Sequence, residues 1–108
     1  MTTESPIPVV RKSDAVYRIE DFECGNVTLS VTYLHHGQST KGHNHSHPEA
    51  YYVAQGQGYI ELGSHNNRPL AVGDFVYINP DEFHKVVNNG HTTLVVVCCW
   101  EKQKCELE

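Results

Sequence analysis

Apolar side chains recur at every second position through most of this chain, and turn-forming residues break the alternation at short intervals. Val27, Leu29, Val31 and Tyr33 alternate with Thr28, Ser30 and Thr32, the period-two signature of a half-buried strand. No long stretch carries a helical period, so the chain is expected to be all-β. Val9 to Ile19 is expected to supply one or two outer strands. Gly58 to Leu62 and Leu70 to Val72 should flank a polar loop over Gly63 to Pro69, and Phe75 to Ile78 reads as a further strand. Asn89-Gly90 between two apolar segments signals a hairpin, with Leu94 to Trp100 as the returning strand. Strands of this kind are free of exposed edges when they close into a double-sheet jelly roll, which leaves room inside for a small ligand.

A chain of 108 residues holds one core, so residues 1–108 are expected to form a single domain, with 1–8 loose and 102–108 a charged tail. Lys plus Arg number 8 against 13 Asp plus Glu, a formal charge of −5, and the cations are scattered, which speaks against a nucleic-acid partner. The N-terminus lacks a basic and apolar leader, and Leu94 to Trp100 is too short to span a bilayer. A cytoplasmic protein without a membrane partner is expected. Cys98 and Cys99 are adjacent on a strand and point to opposite faces, so they are poorly placed to bond each other. Cys24 and Cys105 lie near polar segments, and no C-x-x-C pair exists. Reduced thiols without a catalytic role are expected.

The chemistry concentrates mid-chain, where Gly37, His43, His45, Glu49 and Gly56 are spaced as G-x5-H-x-H-x3-E-x6-G. On an extended segment His43, His45 and Glu49 share one face, together with Tyr51, Val53 and Gln55, while Ala50, Tyr52 and Ala54 face away. Gly56 then ends the strand in a Gly56-Gln57-Gly58 turn. Two imidazoles and a carboxylate on one wall need a further donor. His84 offers it, eleven residues after Gly73 and four before Asn88.

These two segments resemble the paired motifs of the cupin superfamily, the second usually written G-x5-P-x-G-x2-H-x3-N. The first motif matches at every fixed position. In the second, Asn79 and Asp81 replace the proline and the inner glycine, and both residue types tolerate left-handed backbone better than other side chains do. The resemblance covers Gly37 to Asn88 and implies a cupin-type double-stranded β-helix. The run Ser39 to His45, followed by Glu49-Ala50-Tyr51-Tyr52 and Gly56-Gln57-Gly58, is similar to the metal segment of cupin-type sugar-phosphate isomerases, although no phosphate cradle is evident. Lys41 and Arg68 are the basic residues nearest in sequence to the expected pocket rim. Small cupins resemble one another in pairing through outer strands, and a domain this small gains from burying more apolar surface, so a homodimer is expected.

Three imidazoles and a carboxylate without thiolate suit iron(II), manganese(II), nickel(II), cobalt(II) or zinc(II), with His43, His45, Glu49 and His84 as ligands. A barrel that had lost its metal would rarely keep all four donors. An ion so held keeps positions for two substrate oxygens, and can polarise them or, if it is iron, bind dioxygen. Tyr51 lies on the pocket face and is a candidate for proton handling. His47 is ambiguous, being a fifth donor, a proton shuttle, or a surface histidine turned away by Pro48. His35, His36, His65 and His91 are expected to be largely exposed, Asp81-Glu82 a solvated turn, and Tyr33, Tyr51, Val53, Phe75 or Val76, and Trp100 the inward residues. Three functions fit: a metal-dependent enzyme moving protons on a small oxygenated metabolite, as an isomerase or lyase; an iron-dependent dioxygenase; or a small-ligand binding or sensing module.

Overall fold

The computed structural model describes residues 8–63 and 66–101. The expectations for residues 1–7, for His65, and for the tail with Cys105 fall outside them. Among the described residues there are nine strands: β1 Val9–Ser13, β2 Tyr17–Cys24, β3 Val27–Leu34, β4 Glu49–Gln55, β5 Gln57–Leu62, β6 Asn66–Ala71, β7 Phe75–Ile78, β8 His84–Val87 and β9 Leu94–Glu101. They form a six-stranded antiparallel sheet in the order β1-β2-β3-β9-β4-β7 and a three-stranded one in the order β6-β5-β8. The expected all-β jelly roll is the fold. No helix among the described residues is long and apolar enough to cross a membrane.

The core lies between the sheets. Leu34, Val53, Ile78 and Leu94 from the large sheet and Ile60 from the small one are completely buried, in one cluster with Leu70, Val86 and Val96. Strand β4 shows why alternation works as a fold signal: Glu49, Tyr51 and Val53 are buried, while Ala50, Tyr52 and Ala54 are exposed. Gln55 departs from the expected inward set. The β4–β9 register slips between Val53 and Gln55, and an extra residue in one strand turns the next side chain to the other face.

Three further expectations are corrected. Asn89-Gly90 does not close a hairpin, because β8 pairs with β5 while β9 pairs with β3 and β4, so the turn carries the chain from one sheet to the other. Asn88 holds that crossing: its side chain donates to the carbonyls of Leu34 (2.9 Å) and Thr92 (2.8 Å) and accepts from the Gly90 amide (3.0 Å). The loop expected up to Pro69 is largely strand, since β6 begins at Asn66 and Pro69 sits opposite Tyr59. An edge strand tolerates proline because one row of its amides faces no partner. Of the expected inward residues, Tyr33 faces away from the pocket, and Phe75 is 66% exposed while Val76 is 2% exposed.

Strand β3 reverses a simple hydropathy reading. Ser30 and Thr28 are buried and Ser30 and Thr32 line the interior pocket, while Val27, Leu29, Val31 and Tyr33 are half-buried on the outer face. Parity is legible from alternation, but which face turns inward is not when the interior must be polar to hold a ligand.

Asp81 occupies the position of the second motif's inner glycine with φ +62°, the one non-glycine residue with positive φ among those described. Its amide donates to the His45 carbonyl at 2.7 Å, tying the turn before His84 to the segment that carries His45. Left-handed backbone costs an ordinary L-residue about 1–2 kcal/mol. Asp81→Gly should therefore leave stability and metal affinity nearly unchanged, whereas Asp81→Val should lower stability by about 2 kcal/mol. Urea unfolding of both variants checks this, and equal midpoints would mean that the turn rearranges freely.

Candidate metal centre

Glu49 opens β4 and His84 opens β8, one in each sheet, and both side chains are buried, at 7% and 1% exposure. His43 and His45 precede β4 in an irregular stretch rather than in a continuous strand. An isolated antiparallel bridge joins His43 to His84, with reciprocal amide-to-carbonyl bonds of 3.1 and 2.9 Å, so two of the imidazoles are set by one backbone pairing. The rings of His43 and His84 lie 4.3 Å apart and those of His45 and His84 4.9 Å apart.

One potential donor atom from each of His43, His45, Glu49 and His84 falls within 4.8 Å of every other. Donors on opposite sides of one first-row ion are separated by about 4.4 Å at most, so small side-chain rotations would bring the set onto a shared ion. The backbone also prepares the rings. Nδ1 of His45 faces the carbonyl of His47 at 2.7 Å, Nδ1 of His84 that of Glu82 at 2.9 Å, and Nδ1 of His43 that of Lys41 at 3.4 Å. A carbonyl only accepts, so each Nδ1 carries a proton and each Nε2 is turned toward the cluster, the arrangement that orients histidines toward metals.

His84 Nε2 makes the fit most plainly. It is buried without a hydrogen-bond partner, and Glu49 Oε1 lies 3.6 Å away. A buried imidazole nitrogen left unpartnered is costly, and a cation beside the carboxylate would satisfy both. Glu49 Oε1 also meets His45 Nε2. Burial works to raise the Glu49 pKa, but its contacts with His84 and His45 outweigh it and hold the carboxyl below its ordinary value. His84 is shifted the other way: burial works to lower it, and Glu49 with the Glu82 carbonyl raises it. Partial desolvation, with His84 close by, lowers His43.

The cluster opens on a pocket of about 370 Å³ lined by His43, His45, Glu49 and, beyond them, Tyr51, His47 and Trp100. His47 is not turned away by Pro48. It stacks on His45 with ring centroids 4.0 Å apart and planes 10° apart, and burial lowers its pKa. Tyr51 stands edge-on to His84 at 5.8 Å, and burial, followed by Cys98, raises its pKa well above the usual phenol value. Its hydroxyl therefore stays protonated and can donate a hydrogen bond. Cys98 lies opposite Tyr51 in the β4–β9 register, and burial pushes that thiol well up, consistent with an inert thiol.

Arg68 does not reach the pocket, since it donates to the Phe75 carbonyl at 3.2 Å. Arg11 does, together with Lys41, Ser30 and Thr32. The alternation in β3 could have pointed to the two hydroxyls, but nothing in the sequence marked Arg11. It is the extra residue at a register slip between Val10 and Lys12 in the β1–β2 pairing. His35 and His36 lie outside the pocket, half-buried and exposed respectively, and His91 is exposed.

Two antiparallel sheets packed on a common core, with a pocket walled by the larger sheet and the segment 40–47 and three histidines and a glutamate converging beside it, define a double-stranded β-barrel that could hold a metal ion. Residues 30–100 match the family model described as a cupin domain, and the chain belongs to that family. It is 36% identical over 66 residues to the uncharacterized protein MJ1618 of Methanocaldococcus jannaschii, and the match takes in 58% of the chain and 50% of that relative. The chain thus spans about half the length of that curated relative. Among solved structures, an RmlC-like cupin from Shewanella frigidimarina superposes with a TM-score of 0.75 at 14% identity, over 94% of this chain and 89% of that one. The DMSP lyase DddQ from Ruegeria pomeroyi superposes with a TM-score of 0.73 at 17% identity, over 87% of this chain and 52% of that one. At such identities the likeness is one of fold.

Proposed function

We propose that this cupin is a metal-dependent enzyme that moves protons on a small oxygenated metabolite, as an isomerase or lyase, with His43, His45, Glu49 and His84 holding a divalent transition ion. The observation that carries the reading is the buried, partnerless Nε2 of His84 within a donor set that faces a pocket large enough for such a molecule. The likeness in fold to a DMSP lyase is compatible with it. When bound, the ion supplies Lewis acidity toward substrate oxygens.

The protein's own groups divide the remaining work. Tyr51, protonated throughout the neutral range, donates a hydrogen bond from Oη to a substrate oxygen, and that oxygen is stabilised as charge develops on it. His47 is held neutral by burial, and a neutral imidazole accepts a proton from carbon and can return it to a neighbouring carbon. Ile19 and Trp100 on the pocket wall limit water around the reacting atoms. Tyr51→Phe should keep the metal and lower turnover about 10–100-fold, and His47→Gln should lower it about 100-fold or more.

Metal-loaded protein incubated anaerobically in D₂O with a panel of hydroxy- and keto-compounds tests this reading. Incorporation of deuterium at carbon, lost in His47→Gln, is the expected result. No exchange together with dioxygen consumption by the iron form would make it an oxygenase, and tight binding with neither would make it a sensor.

We further propose that the protein is a homodimer. Directly opposed residues share a sheet face, so the outer face carries two rows, Val31-Val97-Tyr52-Phe75 and Leu29-Cys99-Ala50-Tyr77. Each row is apolar across four strands, and a second copy would cover them. Light scattering after size exclusion should give twice the chain mass for the wild type and the chain mass for Val97→Arg. A monomeric wild type at micromolar concentration would remove the proposal.

A further inference from the structure

We propose that the pocket selects a substrate bearing a carboxylate remote from its metal-binding oxygens, and that Arg11 is the residue that receives it, with Lys41 supplying additional positive charge at the rim. The proposal rests on the metal-enzyme reading above and names its substrate class.

The first support is a polar row where a barrel interior would otherwise be apolar. Asp21, Ser30, Cys98 and Tyr51 stand directly opposite one another across β2, β3, β9 and β4, and Ser30, Cys98 and Tyr51 are each less than a tenth exposed. The bulge in β1 brings Arg11 to the open end of this row. Re-aiming a side chain in this way is a common use of bulges beside ligand sites.

The second support is how Arg11 is held. Nε donates to Asp21 Oδ2 at 2.7 Å, and Nη2 to Asp21 Oδ1 and Ser30 Oγ, each at 3.3 Å. The side chain is 51% exposed and Nη1 has no partner among the described residues, so two donors of a fork oriented by Asp21 remain for a ligand. Asp21 offsets part of the charge of Arg11. Lys41 is exposed and makes no ion pair among the described residues, and it supplies the excess.

Charge balance points the same way. The chain carries a formal −5, yet the pocket lining holds two cations and one carboxylate, Glu49, which a bound ion would neutralise; Asp21, paired with Arg11 at 2.7 Å, offsets one of those cations, and Lys41 is the excess. An anion is attracted into this pocket against the sign of the whole protein.

Distance sets the size of the ligand. Arg11 reaches Ser30 on β3, two strand spacings from β4, roughly 10 Å along the sheet. Allowing about 2 Å for a metal–oxygen bond and about 3 Å for a hydrogen bond, about 5 Å remains, the length of a chain of about four carbons. A four-carbon hydroxy- or keto-diacid fits that span.

Malate and 2-hydroxybutyrate share the same chelating head and differ in a terminal carboxylate against a methyl group, which makes them a matched pair of probes. Calorimetric titration of zinc-reconstituted protein with each, malate being offered as both enantiomers, should show wild type binding malate about tenfold or more tighter than 2-hydroxybutyrate. Arg11→Gln should abolish that preference while keeping one zinc per chain and an unchanged affinity for 2-hydroxybutyrate, and Lys41→Gln, on an exposed loop, should reduce it severalfold. Zinc-loaded wild type that does not prefer malate, or binds neither probe, overturns the substrate class and leaves the metal reading standing. A preference that survives in both variants overturns the assignment to Arg11 and Lys41. Failure of the wild type to take up zinc overturns the metal reading itself.

Discussion

Replacing His45 or Glu49 by alanine should abolish metal binding and remove most of the thermal stability that metal confers. A ligand that binds only the folded state stabilises it by about 3–4 kcal/mol at a hundred to a thousand times its dissociation constant. In a domain of about this size that corresponds to a drop in Tm on the order of 10–20 °C for metal-saturated protein. The same variants should differ much less from wild type in the presence of a chelator, because only the local contacts of His45 and Glu49 with each other and with His84 are then lost. Calorimetric melting with and without metal, alongside metal analysis, separates the two effects. Unchanged metal content in both variants would place the site elsewhere.

Gly58→Ala should be among the most damaging single-methyl changes to the fold. A Cβ at Gly58 would lie 2.3 Å from the Val87 carbonyl oxygen and 3.0 Å from Leu94 Cδ2. The first neighbour is backbone and belongs to β8, the strand that pairs with β5 and opens with His84. The two strands must separate to admit the methyl, so a loss of about 3 kcal/mol or more is expected, a large part of the roughly 5–15 kcal/mol available to a small domain. Urea unfolding measures it, and metal affinity should fall in parallel because His84 moves with β8. A midpoint equal to wild type would contradict the packing of β5 on β8.

Much of this is legible in the amino-acid sequence. Period-two alternation reports parity faithfully, which is why Tyr51 and Val53 fall inward beside Glu49, and why Phe75–Ile78 is the strand expected. That His43, His45, Glu49 and His84 cluster was legible because backbone pairing and turns dictate their spacing: one bridge joins His43 to His84, and Asp81 bonds the His45 carbonyl. What escaped was sheet assignment, strand bulges and side-chain stacking. Asn89-Gly90 has hairpin chemistry, yet the strands that it joins are claimed by different sheets. The inward face of β3 is polar because it lines a pocket, against the ordinary rule that the apolar face turns in. Arg11 owes its position to a one-residue bulge, and such a slip leaves no mark in hydropathy. His47 was ambiguous because Pro48 suggested a turn away, while stacking on His45 decides its place.

The most direct test of a metal held by His43, His45, Glu49 and His84 is elemental mass spectrometry on protein purified without chelator or affinity metal, read as moles of transition metal per chain. About one equivalent in the wild type, falling to background in His84→Ala, is the expected result. Background metal in the wild type, persisting after reconstitution with iron, manganese, nickel, cobalt and zinc in turn, would contradict it.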